Sequence, residues 1–368
     1  MWQSCREDKW LRPETGLDAL RRAYDGMRLL ALGGTRFLGR HLVDAALAEG
    51  HDVTVFTRGA IPLPWAATSV THLIGNRDPR IGPGLMALDV GEWDAVVDTS
   101  GYVPRCVAAS VELLAGRAAH YTFISSLSVY ADSSRPGLDE TTPAATLDDA
   151  ASEDIAAHYG ALKARCEDVV RATFTDRALI VRPGLIVGPH DPTDRFAYWV
   201  ARFLYPDRLG TRPGTVIVPA PKERPVQFID ARDLAQWVCA AAASHLAGTY
   251  NACSPPDMWT MGALVDTLVD RTRAGGRGVV VQWVDEAILV ERGVVPWTEL
   301  PLWIPASDPE STGFMEFSCA RATARGLRFR TLAQTVDDTA AWLGTREEKN
   351  AWRSVLSADQ ERALLSPD

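Results

Sequence analysis

Short apolar runs alternate with segments of helical periodicity through the first half of the chain. The first run, MRLLAL at 27–32, precedes a segment with apolar residues at helical spacing, which ends at Gly50. Further apolar runs of strand length follow at 52–56, 71–75, 94–98, 120–125 and 178–183. Strands that alternate with helices of this length predict an α/β fold, a Rossmann-type doubly wound parallel sheet.

The pattern changes after about residue 184, where proline and glycine become frequent and helical periodicity returns only in pieces. This change predicts a smaller C-terminal substrate lobe beside the sheet. We therefore predict four parts: an N-terminal appendage (1–26), a dinucleotide-binding Rossmann domain (27–189), a substrate-binding lobe (190–345) with part returning to the sheet near 226–245, and a C-terminal tail helix (346–368).

Composition narrows the class of protein. Of the 368 residues, 46% are apolar, which is ordinary for a globular core, and the net charge of -9 argues against a nucleic-acid partner. The six cysteines are scattered without metal-ligand spacing, so we expect neither a metal site nor a disulfide framework, and a cytoplasmic location. No apolar run is long enough to span a bilayer, and the N-terminus lacks the apolar core of a signal peptide. We expect no membrane partner.

A glycine-rich segment, LGGTRFLG, lies between the first predicted strand and its helix. Backbone N–H groups at such a helix start are a site for pyrophosphate, because the helix dipole favours negative charge there. The alternative is a glycine-rich turn that binds nothing, but the flanking strand and helix favour a ligand. The candidate cofactor contacts in this segment are Gly33, Gly34, Thr35, Arg36, Phe37, Leu38 and Gly39.

Two arginines bear on which dinucleotide is bound. Arg36 takes the place of the middle glycine of the loop, and Arg58 follows the second strand, where NAD-selective folds usually have a carboxylate. Guanidinium groups suit a 2′-phosphate, so the sequence favours NADP over NAD. NAD remains the alternative, since either arginine can instead stack on adenine or lie in solvent.

Tyr159 and Lys163 lie four residues apart in a segment that reads as a helix with Ser152 as its N-cap. An ammonium beside a phenol favours the phenolate, so we expect the pKa of Tyr159 to lie below its ordinary value of about 10. Such a phenol can carry a proton near neutral pH. The fifth strand ends in Ser125 and Ser126, with Ser128 following, which places hydroxyl groups at the carboxyl edge of the sheet.

Taken together, LGGTRFLG, DTSGY, FISSLSVY, YGALK, RPGLIVGP and GTYNACSP occur in the order and spacing found in the extended short-chain dehydrogenase/reductase family. The chain resembles the NAD-dependent epimerase/dehydratase group of that family over about residues 27–255. The resemblance implies a Tyr–Lys–Ser catalytic set: Tyr159 as acid/base, Lys163 on the nicotinamide ribose, and Ser126 on the substrate oxygen, with Ser128 second. It also implies a homodimer.

The resemblance implies further cofactor contacts. Residues after the third strand would lie near adenine, residues after the fourth would line the cofactor, and residues at the end of the sixth would flank nicotinamide. These are Asn76, Arg77 and Asp78; Thr99, Ser100 and Gly101; and Pro183 and Gly184.

The sequence departs from the family at the places that would identify the substrate. Sugar-nucleotide 4,6-dehydratases that resemble this chain carry an Asp-Glu pair in the segment that here reads Ser126-Leu127-Ser128, and many sugar-nucleotide epimerases have an arginine where it has Val226. A second base or substrate contact is expected after the sixth strand. A polar loop with no role in catalysis or binding is an equally weighted alternative. The candidates are His190, Asp191, Asp194 and Arg195.

These features predict an NAD(P)-dependent enzyme that acts on a secondary alcohol or ketone of a sugar, nucleoside or related small molecule. The resemblance favours a redox-neutral epimerase or dehydratase over a net NADPH-dependent ketone reductase or dehydrogenase. A rival of another class is a non-catalytic Rossmann sensor or RNA-binding relative. The intact Ser126, Tyr159 and Lys163 argue against the sensor, and the acidic charge argues against RNA.

Overall fold

The computed structural model describes residues 26–211, 214–347, 352–353 and 355–365. The predicted appendage therefore lies outside the described residues except for Gly26, and the predicted tail helix is described only in part. The strands are β1 (Arg28–Leu32), β2 (Asp52–Thr57), β3 (Thr71–Ile74), β4 (Trp93–Asp98), β5 (Ala118–Ile124), β6 (Ala178–Pro183), β7 (Leu185–Val187), β8 (Thr215–Pro219), β9 (Phe228–Asp230), β10 (Gly248–Ala252) and β11 (Val280–Val284).

Helices or loops connect these strands, as the sequence predicts. Short 3₁₀ turns follow β3 and β5, the second of them at Leu127–Val129. The α-helices are α1 (Phe37–Ala48), α2 (Pro104–Leu114), α3 (Ile155–Phe174), α4 (Arg195–Leu204), α5 (Ala231–Ala243), α6 (Met261–Ala274), α7 (Glu286–Glu291), α8 (Ala320–Ala324), α9 (Leu332–Thr345) and α10 (Ala358–Leu365).

Seven parallel strands form the central sheet in the order β10-β6-β5-β4-β1-β2-β3. The strand order reverses between β1 and β4, which is the switch point where α/β folds bind ligands. All six strands predicted from apolar runs are present in this sheet, so the predicted fold class is confirmed. β1, β4, β5 and β6 are buried along nearly their whole length, as expected of a parallel sheet covered on both faces.

The chain returns to the sheet after the predicted boundary at residue 190. Helix α5 packs its apolar face against α1, where Val238 and Ala242 share a core with Leu42 and Ala46. β10 then adds the seventh strand beside β6. Two small parallel sheets, β7 with β9 and β8 with β11, lie in the C-terminal half around a second apolar core. The domain boundaries themselves stay a prediction.

Candidate cofactor and active site

The glycine-rich loop turns sharply from β1 into α1. Gly33 has a φ of +94°, and a Cβ atom there would lie 2.7 Å from Thr99 Oγ1. A Cβ atom on Gly39 would lie 2.9 Å from Gly34 Cα, so that position has no room for a side chain. Glycine is therefore required for the turn and for the close approach of α1 to the loop. The cradle fits a dinucleotide pyrophosphate at the start of α1.

A cavity of about 670 Å³ opens above this loop at the carboxyl edge of the sheet. Its volume lies within the range of small-molecule and cofactor sites. It is bordered by segments that follow β1, β2, β3, β4, β5 and β6, together with α3. The predicted residues that line it are Gly33, Gly34, Thr35, Arg36, Phe37, Leu38, Gly39, Arg58, Asn76, Arg77, Thr99, Ser100, Ser126, Tyr159, Lys163, Pro183 and Gly184.

Arg36 and Arg58 both line the cavity and are both solvent-exposed. Neither guanidinium group has a hydrogen-bond or ion-pair partner among the described residues. The Thr57 hydroxyl at the end of β2 bonds His72 Nε2 at 2.8 Å and accepts from Gly59 N at 3.2 Å. Two uncompensated cations beside this turn, with no carboxylate among the residues lining the cavity, form a site for an anionic group.

Tyr159 and Ser126 are brought together by an unusually close contact between α3 and the turn after β5. A Cβ atom on Gly160 would lie 1.9 Å from the carbonyl oxygen of Ser128, so only glycine permits this approach. Ser126 caps the turn by accepting from Ser128 N at 3.1 Å. The helix is kinked at His158 (φ -129°, ψ 29°), directly before Tyr159. Its N-cap is Asp154, not the predicted Ser152, and Asp154 accepts from the first turn of the helix.

The Lys163 ammonium is buried at the base of the cavity. It donates to the carbonyl oxygens of Gly101 at 2.7 Å and Ile124 at 2.6 Å, and burial lowers its pKa to about 8. Burial raises the pKa of Tyr159, with Tyr102 acting in the same direction. The expectation that Lys163 lowers the pKa of Tyr159 was therefore wrong for this structure, because desolvation of the phenol outweighs any effect of the ammonium, which is engaged with two carbonyl groups.

Tyr102 is a cavity residue that the sequence reasoning missed. Its ring centroid lies 6.4 Å from that of Tyr159 and 5.2 Å from Lys163 Nζ, a cation–π distance. The Phe123 ring lies 4.2 Å from the same ammonium. Only its position in the sequence could have indicated a role for Tyr102: it follows Gly101 shortly after β4, at the edge of the sheet where ligands bind.

The residues predicted to lie near adenine divide between two sites. Asn76 and Arg77 line the cavity, whereas Asp78 does not. Arg77 donates to the buried carboxylate of Asp98, with NH2 at 2.8 Å from Oδ2, and to Ser100 Oγ at 3.2 Å. Burial alone would raise the pKa of Asp98, but the Arg77 guanidinium holds it below its usual range. The Asp78 carboxylate is instead engaged by Arg105.

Two further predicted contacts, Gly101 and Ser128, do not line the cavity. Gly101 lies behind it and contributes the carbonyl group that holds Lys163. Ser128 is exposed, and its hydroxyl accepts from Ser126 Oγ at 3.1 Å. The predicted second-base segment is also absent from the lining, apart from Pro192 between its candidates.

The four candidates in that segment are described in the structure, and each has contacts elsewhere. The His190 ring lies 5.7 Å from that of Trp342, and burial lowers the pKa of His190 to about 4. Asp191 is 2% exposed, accepts from Thr193, and has a pKa raised by burial to about 6. Asp194 is 1% exposed and accepts from Arg346 at 2.5 Å. Arg195 lies over the Trp297 ring.

Within the described ranges, no group of three or more His, Cys, Asp and Glu side chains is placed to hold a metal ion. Within the same ranges, no helix has the length and apolar character needed to cross a membrane. The cytoplasmic location and the homodimer remain predictions.

Solved structures share the fold of this chain. A putative epimerase from Burkholderia cenocepacia matches with a TM-score of 0.61 at 19% identity, over 85% of this chain and 98% of the other. UDP-glucuronic acid 4-epimerase from Bacillus cereus, in complex with NAD, gives 0.58 at 13% identity, over 87% and 99%. RMD from Pseudomonas aeruginosa, complexed with NADPH, gives 0.55 at 18% identity, over 86% and 99%. At these identities the likeness shows a shared fold.

No protein with curated annotation matches the chain in sequence. The sequence model of the NAD dependent epimerase/dehydratase family, however, matches residues 29–253, which include every strand of the central sheet except the first residue of β1. The family resemblance expected from the motifs is confirmed, and so is the expectation of an enzyme. The chain belongs to the NAD dependent epimerase/dehydratase family and is an enzyme of the extended short-chain dehydrogenase/reductase type.

Proposed function

We propose that this enzyme oxidises a secondary alcohol on a sugar, nucleoside or related small molecule to a transient ketone and then reduces it again, in a redox-neutral cycle. One observation carries the proposal: Ser126, Tyr159 and Lys163 line the same cavity as the glycine-rich loop. The dinucleotide that this family binds supplies hydride transfer when it is present. Three segments that are distant in the sequence thus contribute to one site of the required volume.

The side chains divide the remaining work. Tyr159 carries a proton to or from the substrate oxygen, and its raised pKa keeps it protonated at neutral pH, ready to donate to a ketone. Ser126 orients that oxygen. Lys163 has two N–H groups engaged with backbone carbonyl oxygens, which leaves the third available to donate to a ribose hydroxyl. The backbone at the start of α1 and the two free arginines hold phosphate groups.

The residues lining the cavity bear on the choice between epimerisation and dehydration. Among those the structure describes, no carboxylate or imidazole is present, and Tyr102 is the remaining neutral proton carrier. Dehydration requires a second base for a C–H bond beside the ketone. Epimerisation at the hydroxyl-bearing carbon does not, because the ketone can turn between loss and return of hydride so that its opposite face receives the hydride, while the same phenol returns the proton to the oxygen. We therefore favour epimerisation at that carbon over dehydration.

The acidic substrate of one structural neighbour, UDP-glucuronic acid, is a reasonable first probe for this chain. The position of the usual epimerase arginine is Val226, which is buried. Arg224, the nearest substitute in sequence, donates to Glu286 and to the carbonyl oxygen of Ile304 at 2.7 Å. A sugar nucleotide would thus have to be bound by other side chains, and smaller polyols belong in the same screen.

A screen of sugar nucleotides, beginning with UDP-glucuronic acid, and of free sugars and nucleosides tests the function, with products followed by NMR. For any substrate found, Tyr159→Phe should reduce kcat at least about 100-fold, because it removes the proton carrier and keeps the ring. Its affinity for the cofactor should stay near that of the wild type. A Tyr159→Phe enzyme that turns over at the wild-type rate would show that the proposed chemistry is wrong.

For the cofactor we propose NADP over NAD, since Arg36 and Arg58 line the cavity without partners. Arg36→Ala and Arg58→Ala should each weaken NADPH binding by about tenfold and leave NADH binding nearly unchanged. Arg40→Ala, one turn further along α1 and outside the cavity lining, is the matched control. Equal losses for NADPH and NADH would refute a 2′-phosphate contact and favour NAD.

A further inference from the structure

Arg105 joins two segments that border the cavity. It is the second residue of α2, and its side chain is 26% exposed. NH1 and NH2 donate to the two carboxylate oxygens of Asp78, each at 2.9 Å. Nε and NH2 donate to the two carboxylate oxygens of Glu153 at 2.7 and 3.0 Å. One guanidinium group therefore makes bidentate hydrogen bonds to two carboxylates. These belong to residues 27 and 48 positions away from Arg105 in the sequence.

The Asp78 side of this bridge belongs to the loop after β3. Asn76 and Arg77 of the same loop line the cavity. Asp78 N donates to Asn76 Oδ1 at 2.9 Å, and Asp78 Oδ1 accepts from Arg80 N at 2.9 Å. The Asp78 carboxylate is thus fixed within its loop, and holding it also holds the cavity-lining residues beside it. The Arg105 hydrogen bonds lower the pKa of Asp78 to about 2, so the pair is charged at neutral pH.

The Glu153 side of the bridge lies at the start of the helix that carries Tyr159. Glu153 precedes the N-cap Asp154, and Ile155 in the first turn is 40% exposed. The kink at His158 separates this turn from the rest of α3. Neither packing nor the rest of the helix therefore stabilises this turn much. Its position depends more on side-chain contacts such as the one to Arg105.

We propose that Arg105 is a positioning residue that holds the loop after β3 and the start of α3 in the arrangement the cofactor requires. Its loss should weaken cofactor binding without unfolding the protein. Partly exposed ion pairs contribute little to global stability, so the bridge is explained better by local placement than by stability. The inference rests on the proposed function only in taking the cavity as the nicotinamide dinucleotide site.

The test is a fluorescence titration of NADPH and of NADH into the wild type and Arg105→Gln, after each protein has been freed of any nucleotide carried through purification. We expect Arg105→Gln to bind the preferred nucleotide about tenfold more weakly, with thermal unfolding of the nucleotide-free protein changed by less than about 2 °C. Arg105→Lys should restore part of the affinity, because one ammonium can pair with the carboxylates but cannot bond both bidentately. Arg117→Gln is the matched control: it removes a surface pair with Asp89 at 3.1 Å, away from the cavity.

The outcomes separate the inference from the proposed function. A wild-type protein that binds neither nucleotide refutes the proposed site. A wild-type protein that binds, together with an Arg105→Gln protein that binds equally well, overturns the positioning role alone. Equal weakening in Arg105→Gln and Arg117→Gln would overturn it too, because the effect would then be one of general charge. If Arg105→Gln fails to fold, Asp78→Asn and Glu153→Gln replace it, and unchanged affinity in both overturns the proposal.

Discussion

Asp191 and Asp194 are neighbours in sequence for which the structure predicts opposite responses to the same substitution. Both carboxylates are nearly fully buried. Among the described residues, the Asp191 carboxylate accepts from Thr193, through its backbone N and its hydroxyl, at 2.8 and 3.0 Å. The Asp194 carboxylate accepts from the Arg346 guanidinium and from Arg353 N. Burial of a charge is thus compensated by a cation at Asp194 and by neutral hydrogen bonds at Asp191.

The magnitude follows from the pKa of Asp191, which burial raises from 3.8 to about 6. Because the folded-state value is the higher one, stability from this group is fully present below pH 3.8 and is lost as the pH rises through 6. The loss at pH 7 amounts to as much as roughly 3 kcal/mol. Asp191→Asn keeps an acceptor for Thr193 and carries no charge. It should therefore stabilise the protein at pH 7 by up to that amount, and at pH 4 by no more than about 0.5 kcal/mol.

Asp194→Asn is the matched control and should lower the free energy of unfolding at pH 7 by about 3–5 kcal/mol, since it leaves Arg346 without its counter-charge. Urea unfolding followed by tryptophan fluorescence at pH 7 and pH 4 measures both variants. Destabilisation by Asp191→Asn at pH 7, or a gain that persists unchanged at pH 4, would refute the reasoning from burial.

Two further substitutions test the account elsewhere. Gly160→Ala places a Cβ atom 1.9 Å from Ser128 O, so it should lower the free energy of unfolding by about 1–3 kcal/mol and weaken NADPH binding. Gly116→Ala is the control: its Cβ atom would have nothing within 4 Å, so it should change neither quantity. Indistinguishable variants would contradict the close contact. His120, whose pKa burial lowers to about 4, contributes stability that is present above pH 6.5 and lost as the pH falls towards 4. His120→Gln should show a flatter decline over that range in urea unfolding, and an unchanged decline would assign it to other groups.

The parts of the fold that depend on local pattern were predictable from sequence. Apolar runs of strand length identified six strands of the central sheet, because a strand buried on both faces needs an unbroken apolar stretch. The glycine loop was predictable for a similar reason: Gly33 and Gly39 are required by a backbone turn and a backbone contact that lie within the motif itself.

The parts that depend on distant partners were not predictable. Asp194 looked like a candidate base because nothing near it in sequence shows that it pairs with Arg346, 152 residues later. Asp78 was expected near adenine, and its sequence neighbours do not show that its partner is Arg105 on α2, 27 residues later. The pKa of Tyr159 depends on how deeply the phenol is buried, which the spacing of Tyr159 and Lys163 does not specify.

The most direct test of the central claim is to denature the purified protein and identify any nucleotide that it releases. A redox-neutral enzyme returns its cofactor to the starting state in each cycle and has no need to exchange it. We therefore expect the denatured protein to release a nicotinamide dinucleotide in near-stoichiometric amount, with NADP expected if Arg36 and Arg58 face a 2′-phosphate. An empty protein that binds NADPH reversibly would indicate a net reductase, and a protein that neither releases nor binds a nicotinamide dinucleotide would contradict the account.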